Sequence, residues 1–266
     1  MSPVNTHYSH FGYAPIEMNL WWPWYRRISK AFAYSQERDQ EATELLSRLL
    51  MDRSSLITEF SKLLKHSKVI VFGAGPSLET DLRKLSDLSL LHHFKTVAAD
   101  GATTALLNLT ETQPDFIVSD LDGPLPDLVA AVAKGSKIIV HAHGDNMGLL
   151  KSSVPSFRRA IGSTQVNPSR NVYNFGGFTD GDRAVFLAKA MGASSVVLAG
   201  MDFGKKIGAY SKSKVRCPDV KFKKLRFGKS LLEWLAQRGG MQYYNITDAG
   251  ERVAGFRQVQ PKQLKS

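Results

Sequence analysis

Residues 68–79, Lys-Val-Ile-Val-Phe-Gly-Ala-Gly-Pro-Ser-Leu-Glu, join a short apolar run to a glycine-rich turn. The apolar run has the length and the β-branched character of a buried strand. Pro76 suits the first turn of a helix, where its missing amide hydrogen costs nothing, and Ser77 suits the cap. A strand, a tight turn and a helix form the repeating unit of doubly wound α/β sheets.

The same alternation continues toward the C-terminus. Apolar runs predict strands at 68–72, 95–99, 115–118, 137–141, 171–175, 195–199 and 242–246. Helices are predicted from 77 and at 102–109, 125–133, 147–151, 180–191 and 227–238, and 154–168 is predicted to be irregular. Buried strands that alternate with helices favour parallel pairing. We therefore predict an α/β fold, with a doubly wound, mostly parallel sheet and an N-terminal helical appendage.

The first 66 residues differ from the rest of the chain. The stretch 19–27, Asn-Leu-Trp-Trp-Pro-Trp-Tyr-Arg-Arg, is rich in aromatic residues, and apolar residues recur at helical spacing over 38–65. We predict an N-terminal helical and aromatic region at 1–66 and an α/β catalytic domain at 67–266. The tryptophans suit a ligand platform, but aromatic residues more often pack in cores or interfaces, which we favour. A homodimer contact through this region is one such interface.

Acidic residues follow the predicted strands at the point where each strand ends. Asp120 and Asp122 come directly after the run at 115–118 and one serine. The turns after the other strands contain Asp100, Asp145, Asp180, Asp182 and Asp202. Ligands bind at the carboxyl ends of parallel strands, and Mg²⁺ commonly takes one or two carboxylates together with substrate phosphates. Asp120 and Asp122 are therefore predicted Mg²⁺ ligands, although Asp-x-Asp also occurs in solvated turns.

The glycine turn after the first predicted strand suits a phosphate. Gly73 and Gly75 allow a close approach to the backbone, and free amides at a helix N-terminus favour an anion. The third glycine of a dinucleotide fingerprint and the Gly-Lys-Ser/Thr of a Walker sequence are both missing. The alternative interpretation is a tight turn between a strand and a helix, without a ligand.

The positive charge of the chain is concentrated in one segment. The formal net charge is +11, and residues 205–229 contain ten Lys or Arg residues against one acid, Asp219. The ten are residues 205, 206, 212, 214, 216, 221, 223, 224, 226 and 229. Nucleic-acid modules usually add stacking aromatics or a recognisable motif to such a patch, so we expect no nucleic-acid partner. We predict a basic loop that closes over a phosphate-rich substrate, with a solvated charge run as the alternative. A nucleic-acid-binding module that uses the basic loop is the alternative function outside the enzymes.

Length and composition set the remaining bounds. With 266 residues and 43% hydrophobic content, the chain can bury a large core. Cys217 is the single cysteine, so an internal disulfide is excluded. No apolar stretch is long enough to span a bilayer, and the N-terminus lacks a signal pattern. We expect a soluble, cytoplasmic protein without a membrane partner.

Six ordered motifs together resemble the archaeal 6-hydroxymethyl-7,8-dihydropterin pyrophosphokinase family, the MptE-like proteins. The resemblance extends from about Trp22 to the last predicted helix. The motifs are Gly73-Ala-Gly-Pro-Ser-Leu, Ala99-Asp-Gly-Ala-Thr, Pro114-Asp-Phe-Ile-Val-Ser-Asp-Leu-Asp-Gly, His141-Ala-His-Gly-Asp-Asn, Phe175-Gly-Gly-Phe-Thr-Asp-Gly-Asp-Arg-Ala and Leu198-Ala-Gly-Met-Asp-Phe-Gly. The catalytic half is also distantly similar to thiamin pyrophosphokinase in its Asp-Gly-Ala and Asp-x-Asp elements.

The resemblance implies transfer of diphosphate from ATP to a reduced hydroxymethylpterin, 6-hydroxymethyl-7,8-dihydropterin. The products are then AMP and the pterin diphosphate, on a route to tetrahydromethanopterin or folate-type cofactors. Such a transfer depends mainly on positioning and electrostatics, so metal ligands and cations are the groups to seek. A sugar-nucleotide-dependent glycosyltransferase is the alternative enzyme class, because Asp-x-Asp also holds a metal diphosphate.

The chemistry of the transfer assigns candidate roles to residues of the matching motifs. The catalytic candidates are Asp120, Asp122, Asp145, Asp182 and Arg183. The candidates for ATP or phosphate binding are Gly73, Gly75, Pro76, Ser77, Asp100, Gly101, Lys221 and Lys224. The candidates for pterin binding are Asn146, Phe178, Asp180 and Asp202. Asp145, Asp180 and Asp182 are also second-choice metal ligands, and one carboxylate is expected to accept the alcohol proton.

Two further groups of residues leave alternatives open. His141 and His143 point the same way on a strand and can bond phosphate, orient the acids or bind a transition metal, or they can be satisfied core histidines. Phe175, Phe178 and Phe203 lie beside the acidic turns and can form a flat apolar slot for the pterin or belong to the core.

Overall fold

The computed structural model describes residues 13–51, 53, 55–110, 112–211 and 217–265. Nine strands form one sheet in which every neighbouring pair is parallel. The strands are β1 (Lys68–Phe72), β2 (Lys95–Ala99), β3 (Phe116–Ser119), β4 (Lys137–His141), β5 (Ala160–Ser163), β6 (Val172–Tyr173), β7 (Ser195–Ala199), β8 (Gln242–Asn245) and β9 (Arg257–Gln258). The predicted α/β fold with a parallel sheet is confirmed.

The strand order in the sheet is β6-β5-β4-β3-β2-β1-β7-β8-β9. The chain builds the sheet outward from β1 to β6, and then returns to place β7 on the other side of β1. The order therefore reverses between β1 and β7. In open α/β sheets this switch point opens a crevice outside the carboxyl ends of the strands, where ligands bind.

Helices cover both faces of the sheet. They are α1 (Met18–Phe32), α2 (Gln36–Leu49), α3 (Leu56–Leu64), α4 (Leu78–Asp87), α5 (Ala102–Leu109), α6 (Leu125–Ala133), α7 (Met147–Ser153), α8 (Asp180–Ala190) and α9 (Pro218–Gln237). Alternate residues of β1 show how the sheet separates two cores. Val69 and Val71 pack with α8 and α9, whereas Ile70 and Phe72 pack with α4 and α5.

The N-terminal helices pack directly against the sheet domain. Trp21 and Tyr25 of α1 and Phe60 of α3 are fully buried in the same cluster as strand residues of β1 to β5. The Trp21 indole nitrogen donates to the carbonyl of Gln165 at 2.7 Å, and Trp24 packs edge to face on Trp234 of α9. The aromatic stretch therefore serves packing, as favoured from the sequence. The division into domains at residue 66 stays a prediction.

Three stretches differ from the sequence-based expectations. Helix α9 begins at Pro218, so the basic residues from 221 to 229 lie on a helix and not in a loop. Lysine and arginine are good helix formers, and the charge of the segment concealed this propensity. The stretch predicted to be irregular contains β5, where Gly162 is required because a Cβ would collide with Val172. Strand β9 has two residues and was not predicted.

The predicted partners and location are tested only in part. Among the described residues, no helix is both long and apolar enough to span a bilayer. Residues 212, 214 and 216 of the basic segment lie outside the described part of the chain. The cytoplasmic location, the homodimer and the absence of a nucleic-acid partner stay predictions.

Candidate functional site

A cavity of about 470 Å³ lies at the carboxyl edge of the sheet. Residues at or just beyond the ends of five neighbouring strands line it: Gly73, Asp100, Asp120, His141 and Gly200. The start of α8, the start of α9 and the segment that joins α1 to α2 close its other sides. The cavity includes the switch point between β1 and β7, where the fold favours ligand binding.

Three carboxylates converge at the ends of β2 and β3. Asp100, Asp120 and Asp122 each offer an oxygen within 4.8 Å of the other two. Asp100 is buried, Asp120 is half-buried and Asp122 is exposed. Hard oxygen donors at this separation suit a divalent cation. The three residues can therefore hold a metal ion, and Asp100, which was not among the predicted ligands, joins the first-choice pair Asp120 and Asp122.

The two acidic turns have strained backbones that a small network supports. Asp100 and Leu121 have φ of 44° and 68°, in the left-handed region that residues other than glycine rarely adopt. The Ser119 hydroxyl donates to Asp100 Oδ1 at 2.6 Å and accepts from the Leu121 amide at 2.9 Å. Gly123 must lack a side chain because a Cβ would collide with the Asp100 carboxylate. These contacts hold the turn at Asp100 and the turn at Leu121 close to each other.

The turn after β4 is tied to the same carboxylates. Asn146 donates both amide hydrogens, to the carbonyls of Asp120 (2.8 Å) and His141 (2.7 Å), and accepts from the His143 amide. His143 Nδ1 accepts from the Asp145 amide at 3.2 Å, and its Nε2 lies 3.5 Å from Asp120 Oδ2. A ring that accepts at Nδ1 carries its proton on Nε2, which can donate to Asp120. These residues orient the metal-ligand candidate.

The glycine turn after β1 is bonded to the end of β7. The amides of Gly73 and Gly75 donate to the carbonyls of Ala199 (2.9 Å) and Gly200 (2.8 Å). A Cβ at Gly75 would collide with Asp202 Oδ2. These two amides are therefore bonded within the protein, as in the alternative interpretation of a tight turn, and phosphate binding at this turn stays a prediction. The two glycines let the backbone of this turn pack closely on the backbone at the end of β7. The turn also lines the cavity.

Asp202 and Asp81 surround Ser77 at the start of α4. Asp202 Oδ2 accepts from the Ser77 amide (3.3 Å) and hydroxyl (3.0 Å), while its Oδ1 has no partner among the described residues. Burial raises the pKa of Asp202 above its usual value, against the effect of these two hydrogen bonds. Asp202 lines the cavity at the switch point, whereas Asp81 lies beneath the turn.

Residues 203–211, which follow β7, pack over the glycine turn and form what we call the roof segment. A Cβ at Gly101 would collide with the carbonyl of Tyr210, and one at Gly208 would collide with the carbonyl of Ala74. Lys206 and Tyr210 of this segment line the cavity. Gly101 therefore leaves the space in which the roof segment packs.

Helix α8 contributes one acid to its own cap and another to the cavity. Asp182 is fully buried and accepts from the amides of Phe178 (2.5 Å) and Thr179 (2.8 Å) in a capping box. Asp180 is half-buried and lines the cavity. Burial, followed by the charges of Asp120 and Asp100, raises the pKa of Asp180 well above its usual range.

Helix α9 directs cations and an aromatic contact toward the cavity. Lys221 and Lys224 both line it. Lys224 Nζ lies 5.7 Å from the ring centre of Tyr34 and 5.9 Å from that of Phe178. Phe203 also lines the cavity, whereas Phe175 packs in the core against Tyr173.

The structure brings most of the predicted site residues to one cavity, but not all of them. The residues predicted from the sequence that line it are Gly73, Gly75, Pro76, Asp100, Gly101, Asp120, Phe178, Asp180, Arg183, Asp202, Lys221 and Lys224. Two others lie next to residues that line the cavity: Ser77 is hydrogen-bonded to Asp202, and Asp122 is grouped with Asp120. Asp145 is exposed, Asp182 belongs to the cap and Asn146 supports the turns, so none of these three is placed on the cavity.

Tyr34, Asp39 and Gln165 are among the cavity residues that sequence reasoning missed. Tyr34 lies in the segment that joins α1 to α2, Asp39 lies on α2, and Gln165 comes from the stretch that was predicted to be irregular. Asp39 Oδ2 accepts from the Gln165 amide at 2.7 Å and from the Tyr25 hydroxyl at 2.8 Å. No local pattern marks such residues, because their partners are more than 100 positions away or on another helix.

Comparison with solved structures shows the fold. The MAf glycosyltransferase from Magnetospirillum magneticum AMB-1 matches with a TM-score of 0.52 and 16% identity, over 74% of this chain and 34% of that protein. At this identity the likeness concerns architecture alone.

Comparison of sequences is more specific. The MptE-like family model, described as 6-hydroxymethylpterin diphosphokinase MptE-like, matches residues 45–208. Proteins named 6-hydroxymethyl-7,8-dihydropterin pyrophosphokinase are similar over most of their length. The one from Pyrococcus furiosus is 47% identical over 82% of this chain and 94% of its own, and the one from Methanothermobacter thermautotrophicus is 41% identical over 85% and 98%. The one from Methanocaldococcus jannaschii is 36% identical over 84% and 97%. The chain therefore belongs to the MptE-like family.

Proposed function

We propose that this protein transfers the terminal diphosphate of ATP to the hydroxymethyl group of 6-hydroxymethyl-7,8-dihydropterin. The hydroxyl oxygen attacks the β-phosphorus, the bond from the β-phosphorus to the α-phosphate oxygen breaks, and AMP leaves. The alcohol proton is released to a base. The product is a pterin diphosphate for a tetrahydromethanopterin or folate-type cofactor. The names of the archaeal relatives support the substrate class.

The convergence of Asp100, Asp120 and Asp122 at the cavity is the observation that carries the proposal. Their oxygens fit Mg²⁺, which would offset the charge of the triphosphate. Asp120 is oriented by His143, and Asp100 by Ser119, so the chain holds both carboxylates in place before a substrate arrives. Preorganised charge of this kind is the main contribution a protein makes to phosphoryl-type transfer.

The remaining cavity residues suit the two substrates. Lys221 and Lys224 face the cavity from α9 and would contact the phosphates. Gly73, Gly75, Pro76, Ser77 and Gly101 border the nucleotide side, around the switch point. Phe178, Asp180 and Asp202 are the cavity residues that we proposed from the sequence for the pterin. Arg183 remains a catalytic or binding candidate. For Asp145, Asp182 and Asn146, no described contact with the cavity supports the proposed roles.

Product analysis tests the proposal. The protein is incubated with ATP, Mg²⁺ and the reduced pterin, and the adenine nucleotides are separated. We expect AMP in equal amount to the pterin diphosphate, and loss of turnover with EDTA that added Mg²⁺ restores. Asp120→Asn should lower kcat/KM by about 100-fold or more, whereas Asp87→Asn, at an exposed position of α4, should match wild type. ADP as the product, or turnover that EDTA leaves intact, would contradict the proposal.

A further inference from the structure

The cavity has an inner end, on the side of β4 and away from the switch point. We define it by Tyr34, Asp39, His141, Gln165, Phe178 and Arg183. These residues come from α2 and the segment that joins it to α1, β4, the turn after β5 and the start of α8. In the sheet, β4 and β7 are separated by β3, β2 and β1. At about 4.8 Å per strand, the end of β4 at His141 lies roughly 19 Å across the sheet from the end of β7, and the carboxylate cluster at the ends of β2 and β3 lies between these two strands.

Two buried polar atoms of the inner end have no partner among the described residues. They are Nε2 of His141, a residue that is 3% exposed, and Nη1 of Arg183, a residue that is 5% exposed. Leaving such an atom unbonded costs about 1–3 kcal/mol, more for a charged group. Buried polar groups are therefore almost always hydrogen-bonded, and two such atoms without a partner on a cavity wall indicate a ligand.

The electrostatics of the inner end favour a neutral polar ligand over a phosphate. The guanidinium of Arg183 interacts with the carboxylates of Asp182, Asp180, Asp120 and Asp39, which offset its charge. Burial lowers the pKa of His141 well below its usual value, so its ring is neutral. Of the lysines that line the cavity, Lys206 lies in the roof segment and Lys221 lies on α9, whereas Lys224 of α9 borders the inner end, where its charge lies over the rings of Tyr34 and Phe178.

The remaining contacts of the inner end match a flat heterocycle. Phe178 and Tyr34 lie with ring centres 6.3 Å apart and present aromatic surface to the cavity. Arg183 Nη2 is occupied by the carbonyl of Phe178 (3.0 Å) and by Gln165 (3.3 Å), and His141 Nδ1 lies 3.1 Å from the Ser163 hydroxyl. The side chains of Arg183 and His141 are therefore held in place, and each keeps one unpartnered nitrogen, Nη1 of Arg183 and Nε2 of His141.

We propose that the inner end binds the pterin by its lactam edge, with Arg183 Nη1 donating to the 4-oxo group and His141 Nε2 accepting from the adjacent ring N–H. This inference rests on the proposed function and assigns each substrate to one end of the cavity. The nucleotide then lies toward the switch point, so this inference reassigns Asp202, a pterin candidate above, to the nucleotide, from which its Oδ1 accepts a hydrogen bond. Asp39 and Tyr25 are positioning residues, because they act on the ligand through Gln165.

A substrate analogue tests the inference on the wild-type protein. In 2,4-diamino-6-hydroxymethyl-7,8-dihydropteridine an amino group replaces the 4-oxo group and the adjacent nitrogen loses its hydrogen. Arg183 then faces a donor and cannot accept from it. A site built to bond the lactam should reject the analogue by at least about 100-fold in kcat/KM. Equal use of the two compounds would overturn the inference.

Two variants separate the ends of the cavity. His141→Ala should raise KM for the pterin about 10-fold or more, leave KM for ATP within about twofold, and weaken discrimination against the analogue. Asp202→Asn should raise KM for ATP and leave KM for the pterin unchanged. Circular dichroism and thermal unfolding establish that both variants fold. The reverse pattern would place the pterin at Asp202 and overturn the inference alone, whereas no wild-type turnover of the natural pterin would overturn the proposed function with it.

Discussion

Asp81 lies buried beneath the glycine turn and makes stability depend on pH. Its Oδ2 accepts from the Gly200 amide (2.9 Å) and from the hydroxyls of Thr247 (3.1 Å) and Ser77 (3.1 Å). These bonds favour the charged form, but burial outweighs them and raises the pKa of Asp81 to about 6, from an ordinary 3.8. The perturbation that tests this is Asp81→Asn, which keeps the shape and removes the ionisation.

The sign follows from the direction of the shift. A carboxyl with a higher pKa in the folded protein binds its proton more tightly there, so its contribution to stability is complete below pH 3.8 and is lost as the pH rises through about 6. The shift of about two pKa units corresponds to about 3 kcal/mol. About 2 kcal/mol of this loss falls between pH 4.5 and 7.5.

Urea unfolding at several pH values between about 4.5 and 7.5 measures the effect. Because other groups titrate in the same range, the quantity to follow is the difference in unfolding free energy between Asp81→Asn and wild type. This difference should shift in favour of the variant by about 2 kcal/mol as the pH rises. The exposed Asp87→Asn is the matched control and should run parallel to wild type. Parallel curves for Asp81→Asn would refute the reasoning.

Two further substitutions test the packing around the site. Gly75→Ala places a Cβ against Asp202 and should lower the unfolding free energy by about 1–3 kcal/mol, whereas Gly148→Ala, where no atom lies within 4 Å, should change it little; equal effects would contradict the close approach. Tyr25→Phe removes the 2.8 Å hydrogen bond to Asp39 and should cost about 1.5–3 kcal/mol in denaturant unfolding, and wild-type stability would show that the bond contributes nothing.

The central strands and the position of the site could be predicted because both depend on local patterns. Apolar runs such as 68–72 and 195–199 form buried parallel strands as expected. In a parallel sheet the residues after each strand meet at one edge, so acids in the turns after β2 and β3 were expected to converge. Asp100, Asp120 and Asp122 do so.

The parts that could not be predicted depend on distant partners. Strand β5 offers one bulky residue, Ile161, and is a strand because β4 and β6 pair with it on both sides. Gln165 follows it and reaches the cavity through bonds to Asp39 and Arg183. The start of α9 was missed because its lysines were interpreted by their charge, although tertiary packing and their helix propensity decide the conformation.

The glycine turn shows that one local sequence pattern can serve packing as well as ligand binding. A strand, two close glycines and a helix were expected and are present, but the amides of Gly73 and Gly75 are bonded to β7. Glycine is needed there because the neighbouring backbone and Asp202 leave no space for a Cβ, and that need produces a pair of close glycines like the pair in a phosphate-binding turn. Charge recognition then passes to side chains. The carboxylate cluster lies at the ends of β2 and β3 and the lysines lie on α9, so in the proposed reaction these side chains, and not the amides of Gly73 and Gly75, would hold the triphosphate.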